Sequence, residues 1–259
     1  MNFINTAYGD LGELAKAYKL TYQEAEPFPN IFFRNFFNEA MLQEVLAEFE
    51  LIETKHFKTI DTRNERRQIL NEEGHFGDKT KAFINFLNSS VFLNFLKTLT
   101  DIEETLMIDP YFEDAGLQMT PNGGYLKVHT DFNKHHLSKL DKRLNIIIYL
   151  NKTWRNEYGG QLELWDEEMK QCEKKIEPEF NTMVLFSTTD FSFHGVPKPL
   201  NCPPSMSRKA ISLFYYTNGR PAHEVNDGLS DFTSVLGFRK NKKTEKASFG
   251  KIFKRLFQQ

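Results

Sequence analysis

His129 and Asp131 stand two residues apart in the run Gly124-Tyr125-Leu126-Lys127-Val128-His129-Thr130-Asp131, and His194 follows within Phe193-His194-Gly195. In an extended strand residues i and i+2 share a face, so one ion can take that imidazole and that carboxylate together. Two neutral imidazoles and one hard carboxylate oxygen form a donor set that suits Fe(II) and leaves positions open for a chelating cosubstrate and dioxygen. Zinc could use the same three groups. A structural zinc site, however, normally takes four protein ligands with more sulfur or histidine, and neither Cys172 nor Cys202 lies near the His-x-Asp pair in sequence.

A lone His-x-Asp is weak evidence, and Arg208 strengthens it. Arg208 opens a strand-like run on which Ala210, Ser212 and Phe214 share its face while Lys209 points the other way. A fixed guanidinium with a hydroxyl further along the same face can bind a carboxylate through one charge-assisted pair and one neutral hydrogen bond. Alternation groups Tyr149 with Asn145 and Ile147, and its phenol can donate to such a carboxylate. His56, His75 and His223 have no partner pattern and read as structural. His135 and His136 lie in the loop 132–142, which reads first as a solvated hairpin loop and second as a candidate substrate-facing element.

Strands must carry these groups, and the sequence supplies them between 106 and 217. Runs at 126–131, 144–150, 161–165, 182–187 and 209–217 are rich in leucine, β-branched and aromatic residues. Pro121-Asn122-Gly123-Gly124, Gly159-Gly160, Pro178 and Pro203-Pro204 punctuate them, which predicts an all-β sandwich or barrel rather than a βαβ sheet. Residues 1–105 read as helices with short strands between them. Asn38, Asp78 and Ser90 are expected caps, and Leu42, Val45, Leu46 and Phe49 fall at helical spacing, as do Phe83, Phe86 and Leu87. The helices are expected to cover one face of the sheet. Of 25 phenylalanines many fall in this N-terminal third.

The remaining composition is that of an ordinary soluble globular chain of 259 residues, large enough for one substantial core. A net charge of −2 excludes a molecule built as a whole to bind polyanions. Two cysteines without a CxxC spacing, a polar start and no long apolar run give the expectation of a soluble cytoplasmic protein without a transmembrane segment. Residues 237–259 differ: Phe249, Ile252, Phe253, Leu256 and Phe257 line one side of a basic amphipathic helix. That helix would meet an anionic surface or acidic partner, or else pack on its own domain.

Longer motifs carry a specific resemblance: HTD at 129–131, IIYLNKTW at 147–154, YGGQLELW at 158–165, IEPEFNTMVLFSTTDFSFHGV at 176–196 and SRKAISLFYYT at 207–217. In this order they resemble the prolyl 4-hydroxylase-like branch of the Fe(II)/2-oxoglutarate-dependent oxygenases. PFPNIFFRNFFNEAMLQEVLAEF near the N-terminus is similar to the usual entry to such domains. The resemblance implies a mainly β fold with flanking helices (α+β), its core a double-stranded β-helix of the jelly-roll or cupin-like kind under an N-terminal helical layer. The expected divisions are a support region 1–105, the oxygenase domain 106–220 and a C-terminal extension 221–259.

The resemblance also implies metal ligation, and with it catalysis, by His129, Asp131 and His194. The distal carboxylate of 2-oxoglutarate would be held by Arg208, with Tyr149 and Ser212 as hydrogen-bonding partners. Fe(II), 2-oxoglutarate and O2 are the expected cofactors and cosubstrates, with ascorbate as a candidate accessory. The implied reaction hydroxylates an unactivated C–H and releases succinate and CO2; a prolyl residue is the leading target. A free amino acid or other small metabolite, a non-catalytic sensor module and a cupin-like hydrolase stay open as alternatives, and the partner, peptide or small molecule, stays unresolved. One departure stands out: where some relatives carry a tyrosine about ten residues before the first ligand histidine, this chain has Met119 beside Gln118. Tyr125 is the substitute to test.

Overall fold

The computed structural model describes residues 2–225, so the expected basic helix within 237–259 lies outside the described residues. The N-terminal part carries four α-helices, α1 (Leu11–Gln23), α2 (Glu39–Leu51), α3 (Asp78–Leu87) and α4 (Ser90–Thr100), with three short strands between them. Asn38 caps α2 as expected, its side chain accepting from the Met41 N–H at 3.1 Å. The other two caps shift by one residue. Ser89, not Ser90, caps α4. Asp78 is the first residue of α3, and the cap is supplied from α2, where the Glu48 carboxylate accepts from the N–H groups of Lys79 and Thr80 at 2.9 and 2.8 Å. A carboxylate brought by another helix satisfies the same orphan amides, and sequence spacing carries no trace of it.

The sheet is antiparallel and curls on itself. Its central strand β7 (Asp141–Tyr149) lies between β10 (Thr182–Ser187) and β12 (Ser207–Thr217). Beyond β12 come β5 (Gly116–Pro121), β3 (Glu65–Leu70), β6 (Tyr125–His129), β11 (His194–Val196), β8 (Leu162–Trp165) and β9 (Cys172–Ile176), in that order. At the other edge β1 (Asn30–Arg34) pairs with β10. Two short strands lie off this path: β2 (Lys58–Asp61) on β3 and β4 (Met107–Ile108) on β12. Residues 30–70 thus contribute three strands to the sheet that carries the motifs of the C-terminal half.

Alternation explains both the core and the site. On β7, Leu144, Ile146 and Ile148 face the helices, as do Met183 and Leu185 of β10 and Ile211 and Leu213 of β12, meeting Phe36, Phe37, Phe83, Phe92 and Phe95. Each such buried side chain contributes about 1.5–3 kcal/mol. The rings interlock: Phe37 meets Phe83 edge-on at 4.8 Å and Phe36 at 5.0 Å. The intervening residues form a second apolar cluster. In it Tyr149, Val184, Phe186 and Ala210 touch Leu162 and Leu164 of β8 and Ile176 of β9. The distal strands therefore fold back over the central ones, and the 144–149 half of β7 is apolar apart from Asn145 because both its faces are buried. This is the double-stranded β-helix that the resemblance implied, with a helical layer on one face.

Strand boundaries differ from expectation where the site begins. β6 ends at His129, not Asp131, because His129 is the last residue in register with β11, opposite His194. β5 and β9 escaped the sequence reading. The first contains Gly, Gln, Thr and Pro; the second, Cys-Glu-Lys-Lys-Ile, alternates only weakly in polarity.

Candidate metal and cosubstrate site

Register brings the first two groups together. His129 and His194 are direct partners across β6 and β11, and their ring centroids lie 4.5 Å apart. The strands approach so closely that a Cβ on Gly195 would sit 2.8 Å from the Leu126 carbonyl oxygen, so only glycine follows His194 without displacement. Asp131, just past the end of β6, places Oδ1 3.6 Å from Nε2 of each histidine. All three residues are largely buried, and their ligand atoms converge within 4.8 Å of one another.

The outer contacts of these groups decide what they can do. Nδ1 of His129 lies 2.8 Å from the Lys127 carbonyl oxygen and Nδ1 of His194 lies 2.9 Å from that of Ser192. A carbonyl only accepts, so each Nδ1 carries the proton and each Nε2 presents a lone pair. That is the tautomer a metal requires, fixed by second contacts of the kind metal-ligating histidines make. Burial pushes the His194 imidazole down to about 4, against the pull of Asp131, so it is neutral at physiological pH. Burial alone would raise the Asp131 carboxyl; Lys142 above all, then His194 and His129, hold it well below the ordinary range. Two neutral imidazoles and one carboxylate therefore fit a divalent iron with open positions.

Across the same cavity sits Arg208, buried on β12. Its Nε donates to the Gly160 carbonyl at 2.8 Å and its Nη2 to the Tyr149 hydroxyl at 2.9 Å, with the guanidinium carbon 4.7 Å from the centre of the Tyr149 ring. Both polar partners are uncharged, and no ion pair among the described residues involves Arg208. A buried cation answered only by neutral groups is a site for an anion. Gly160 holds a left-handed backbone (φ +83°) and a Cβ there would come within 3.1 Å of Arg208 Cδ, so this glycine is set by the arginine it orients. Burial raises the Tyr149 phenol and Arg208 acts against it, so the phenol keeps its proton. Ser212 and Phe214 line the cavity with Arg208, as alternation predicts, and Asn145 and Ile147 line it from β7.

Four further residues were not legible as site residues. Gln118, Asp114 and Arg67 line the cavity, and Lys142 contacts Asp131 from behind. Gln118 occupies the wall where a tyrosine was looked for. Tyr125 does not replace it, since its hydroxyl donates outward to the Thr62 carbonyl at 2.9 Å. Arg67 is buried, with Nε on Glu65 at 2.6 Å and Nη2 on Asp114 at 2.9 Å. Its two acids lie on β3 and after β4, so only the folded sheet reveals the grouping. The loop after the ligands also departs from expectation: His135 is buried, with Nε2 3.2 Å from both Asp109 and Glu113, while His136 is exposed and contacts Glu113. His135 therefore lies inside the protein with its Nε2 beside two carboxylates, turned away from the cavity that holds the three candidate ligands.

Comparison with known proteins points the same way. Residues 115–216 match the profile of the 2OG-Fe(II) oxygenase superfamily. A prolyl 3,4-dihydroxylase, OGFOD1, of Ostreococcus tauri is 26% identical over 211 residues, covering 75% of this chain and 39% of that protein. Prolyl 3-hydroxylase OGFOD1 of Mus musculus is 34% identical over 79 residues, covering 29% of this chain and 14% of that one. The chain thus spans well under half the length of either curated relative. Among solved structures, a Pseudomonas putida prolyl-4-hydroxylase superposes with a TM-score of 0.57 at 15% identity, over 80% of this chain and all of its own. That likeness is one of fold. No helix among the described residues is long and apolar enough to cross a membrane.

Proposed function

We propose that this chain, whose residues 115–216 match the 2OG-Fe(II) oxygenase superfamily profile, is an Fe(II)- and 2-oxoglutarate-dependent hydroxylase whose target is a prolyl residue within a polypeptide. His129, Asp131 and His194 would hold the iron, Arg208 and Tyr149 the distal carboxylate of 2-oxoglutarate, and Ser212 a further oxygen of it. With both bound, the centre supplies oxidative decarboxylation of 2-oxoglutarate to succinate and CO2 coupled to hydroxylation of a C–H bond. The observation that carries the reading is the pair of Nε2 lone pairs facing Asp131 Oδ1 across one cavity from an arginine without an acid.

The protein's own part is orientation and exclusion. Backbone carbonyls set both imidazole tautomers; the Arg208 guanidinium fixes one end of the cosubstrate so that its other end reaches the metal ligands. Leu126, Ile147, Leu162, Val196 and Phe214 give the cavity apolar walls, which keep water from the reacting groups. At its polar side, Arg67 with Glu65 and Asp114 makes a group with one more acid than base. A peptide carbonyl can accept from Arg67 there, and the excess acid gives no partner to a free carboxylate, though it would attract a free ammonium. That carbonyl contact favours a residue in a chain over a free amino acid, in keeping with the prolyl hydroxylases it is similar to.

The test is succinate release by purified protein given Fe(II), 2-oxoglutarate and oxygen, with His129→Ala as control. Proline-containing peptides should accelerate release over the uncoupled rate. Metal-independent release, or failure of 2-oxoglutarate to bind the metal-loaded protein, would overturn the reading.

A further inference from the structure

Lys142 has no solvent exposure, and its side-chain nitrogen lies inside the protein against Asp131. Its Nζ lies 3.1 Å from the centre of the Phe214 ring, 3.9 Å from that of Phe132 and 3.2 Å from Asp131 Oδ2. No well-formed hydrogen bond from Nζ exists among the described residues, so the carboxylate and the two ring faces alone answer its charge. Burial lowers its basicity, and the neighbouring Asp131 opposes that shift without cancelling it. Leaving a cation here is costly unless it serves the group it touches. A leucine or methionine would fill the space between two phenylalanines without that cost.

The two oxygens of Asp131 are sharply divided. Oδ1 faces Nε2 of His129 and of His194, each at 3.6 Å. Oδ2 faces away from them, accepts from Asn145 Nδ2 at 3.0 Å and meets Lys142. Asn145 alone could orient the carboxylate, but a neutral amide cannot hold charge on Oδ2.

We propose that Lys142 is a positioning residue of the metal centre, which with Asn145 engages Asp131 Oδ2 and so commits the carboxylate to bind a divalent metal through Oδ1 alone. This rests on the assignment of His129, Asp131 and His194 as ligands. Lys142 lies behind Asp131, on the side away from the cavity, so it touches neither cosubstrate nor substrate and acts through Asp131 only. With the lysine removed, Oδ2 is free to turn toward the ion, and the carboxylate can chelate through both oxygens or swing out of line. Either change uses up or distorts a position that the open side of the metal needs.

The experiment measures Mn(II) affinity and the Mn(II) EPR spectrum of wild type, Lys142→Met, Lys142→Gln and Asp131→Ala, with Tm of each metal-free protein recorded alongside. Lys142→Met keeps the stem between the rings and should fold. Its Mn(II) affinity should fall roughly 10- to 100-fold, the range typical when an outer contact of a ligand is lost, with a changed EPR line shape. Lys142→Gln, which keeps a donor without the charge, should recover part of that affinity. Wild-type affinity and line shape in folded Lys142→Met would overturn the proposal while leaving the ligand assignment intact. Equal Mn(II) binding by wild type and Asp131→Ala would instead overturn the ligand assignment on which it rests. Should neither Lys142 variant fold, the 15N resonance of the Lys142 ammonium in wild type decides: it should move on loading with diamagnetic Zn(II), and an unmoved resonance would overturn the proposal.

Discussion

Two clusters of histidine and carboxylate lie within a few residues of each other in sequence, and they are built for opposite purposes. One gathers His129, Asp131 and His194; the other gathers Glu113, His135 and His136, with Asp109 against His135. By residue type the second is the richer metal site. Contacts on the far side of each ring separate them. Nδ1 of His129 and of His194 faces a carbonyl oxygen and so carries a proton, which leaves Nε2 as the nitrogen that can ligate. Nδ1 of His135 instead accepts from the backbone N–H groups of Leu137 and Ser138, each at 3.2 Å, which places a proton on Nε2, between Asp109 and Glu113. The first cluster offers lone pairs and the second offers a proton. The second is a clasp that fastens the loop 132–140 to the turn after β4, where Phe112 and Asp114 both hold left-handed backbone.

Single substitutions test this division, and the largest effect belongs to the first cluster. His129→Ala or Asp131→Ala should lower metal-supported succinate formation by at least about 100-fold, since three ligands leave none to spare. His135→Ala should leave Mn(II) affinity within about twofold. Loss of metal binding in His135→Ala comparable to that in His129→Ala, measured by titration of the metal-free proteins, would erase the distinction.

Arg208→Ala comes next. Removing one partner of a buried, charge-assisted contact typically costs about 2–5 kcal/mol, so half-saturation by 2-oxoglutarate should rise by roughly 30-fold or more. Mn(II) affinity without 2-oxoglutarate should stay at the wild-type value, because Arg208 contacts none of the three ligands. Unchanged half-saturation would remove Arg208 from the cosubstrate site.

A stability effect ranks third. His135 is 3% exposed and its ring stands edge-on to Tyr216 at 5.4 Å. His135→Ala leaves two carboxylates facing each other and two amides without an acceptor, at a cost of about 1–3 kcal/mol. For a domain this size each kcal/mol lowers Tm by roughly 2–4 °C, so a calorimetric scan should show a clear drop. A Tm equal to that of wild type would mean the clasp carries no load.

What could be read from sequence follows the same line. His129 with Asp131, and Arg208 with Ser212, were visible because period two groups residues of one run; His194 and the roles of Tyr149 and Ser212 came from the order of the longer motifs and the resemblance they carry. The five principal strands were visible from their leucine, β-branched and aromatic content. Lys142, Arg67 and Gln118 were not, since each acts on a partner from another strand or turn, and strand order fixes those meetings. The caps of α3 and α4 failed in two ways. One moved by a residue between adjacent serines; the other came from Glu48, whose position opposite α3 is a consequence of packing. For His135 the sequence left a substrate-facing role and a structural one both open, and the choice turns on which ring nitrogen carries the proton, which only the folded loop shows.

Tyr149→Phe should give the smallest effect and the sharpest comparison within the site. The hydroxyl accepts from Arg208 Nη2 at 2.9 Å, and the ring lies beneath the guanidinium at 4.7 Å. Phenylalanine keeps the ring, its burial and most of the cation–π contact, so only the hydroxyl is lost. A neutral hydrogen bond contributes about 0.5–1.5 kcal/mol, so affinity for 2-oxoglutarate should fall roughly 2- to 10-fold, with Tm and Mn(II) affinity nearly unchanged. A loss as large as that of Arg208→Ala would mean that the hydroxyl, rather than the guanidinium, is the principal donor to the carboxylate. No loss at all would mean that Arg208 is held by the Gly160 carbonyl alone, and Gly160→Ala should then weaken 2-oxoglutarate binding more than Tyr149→Phe does.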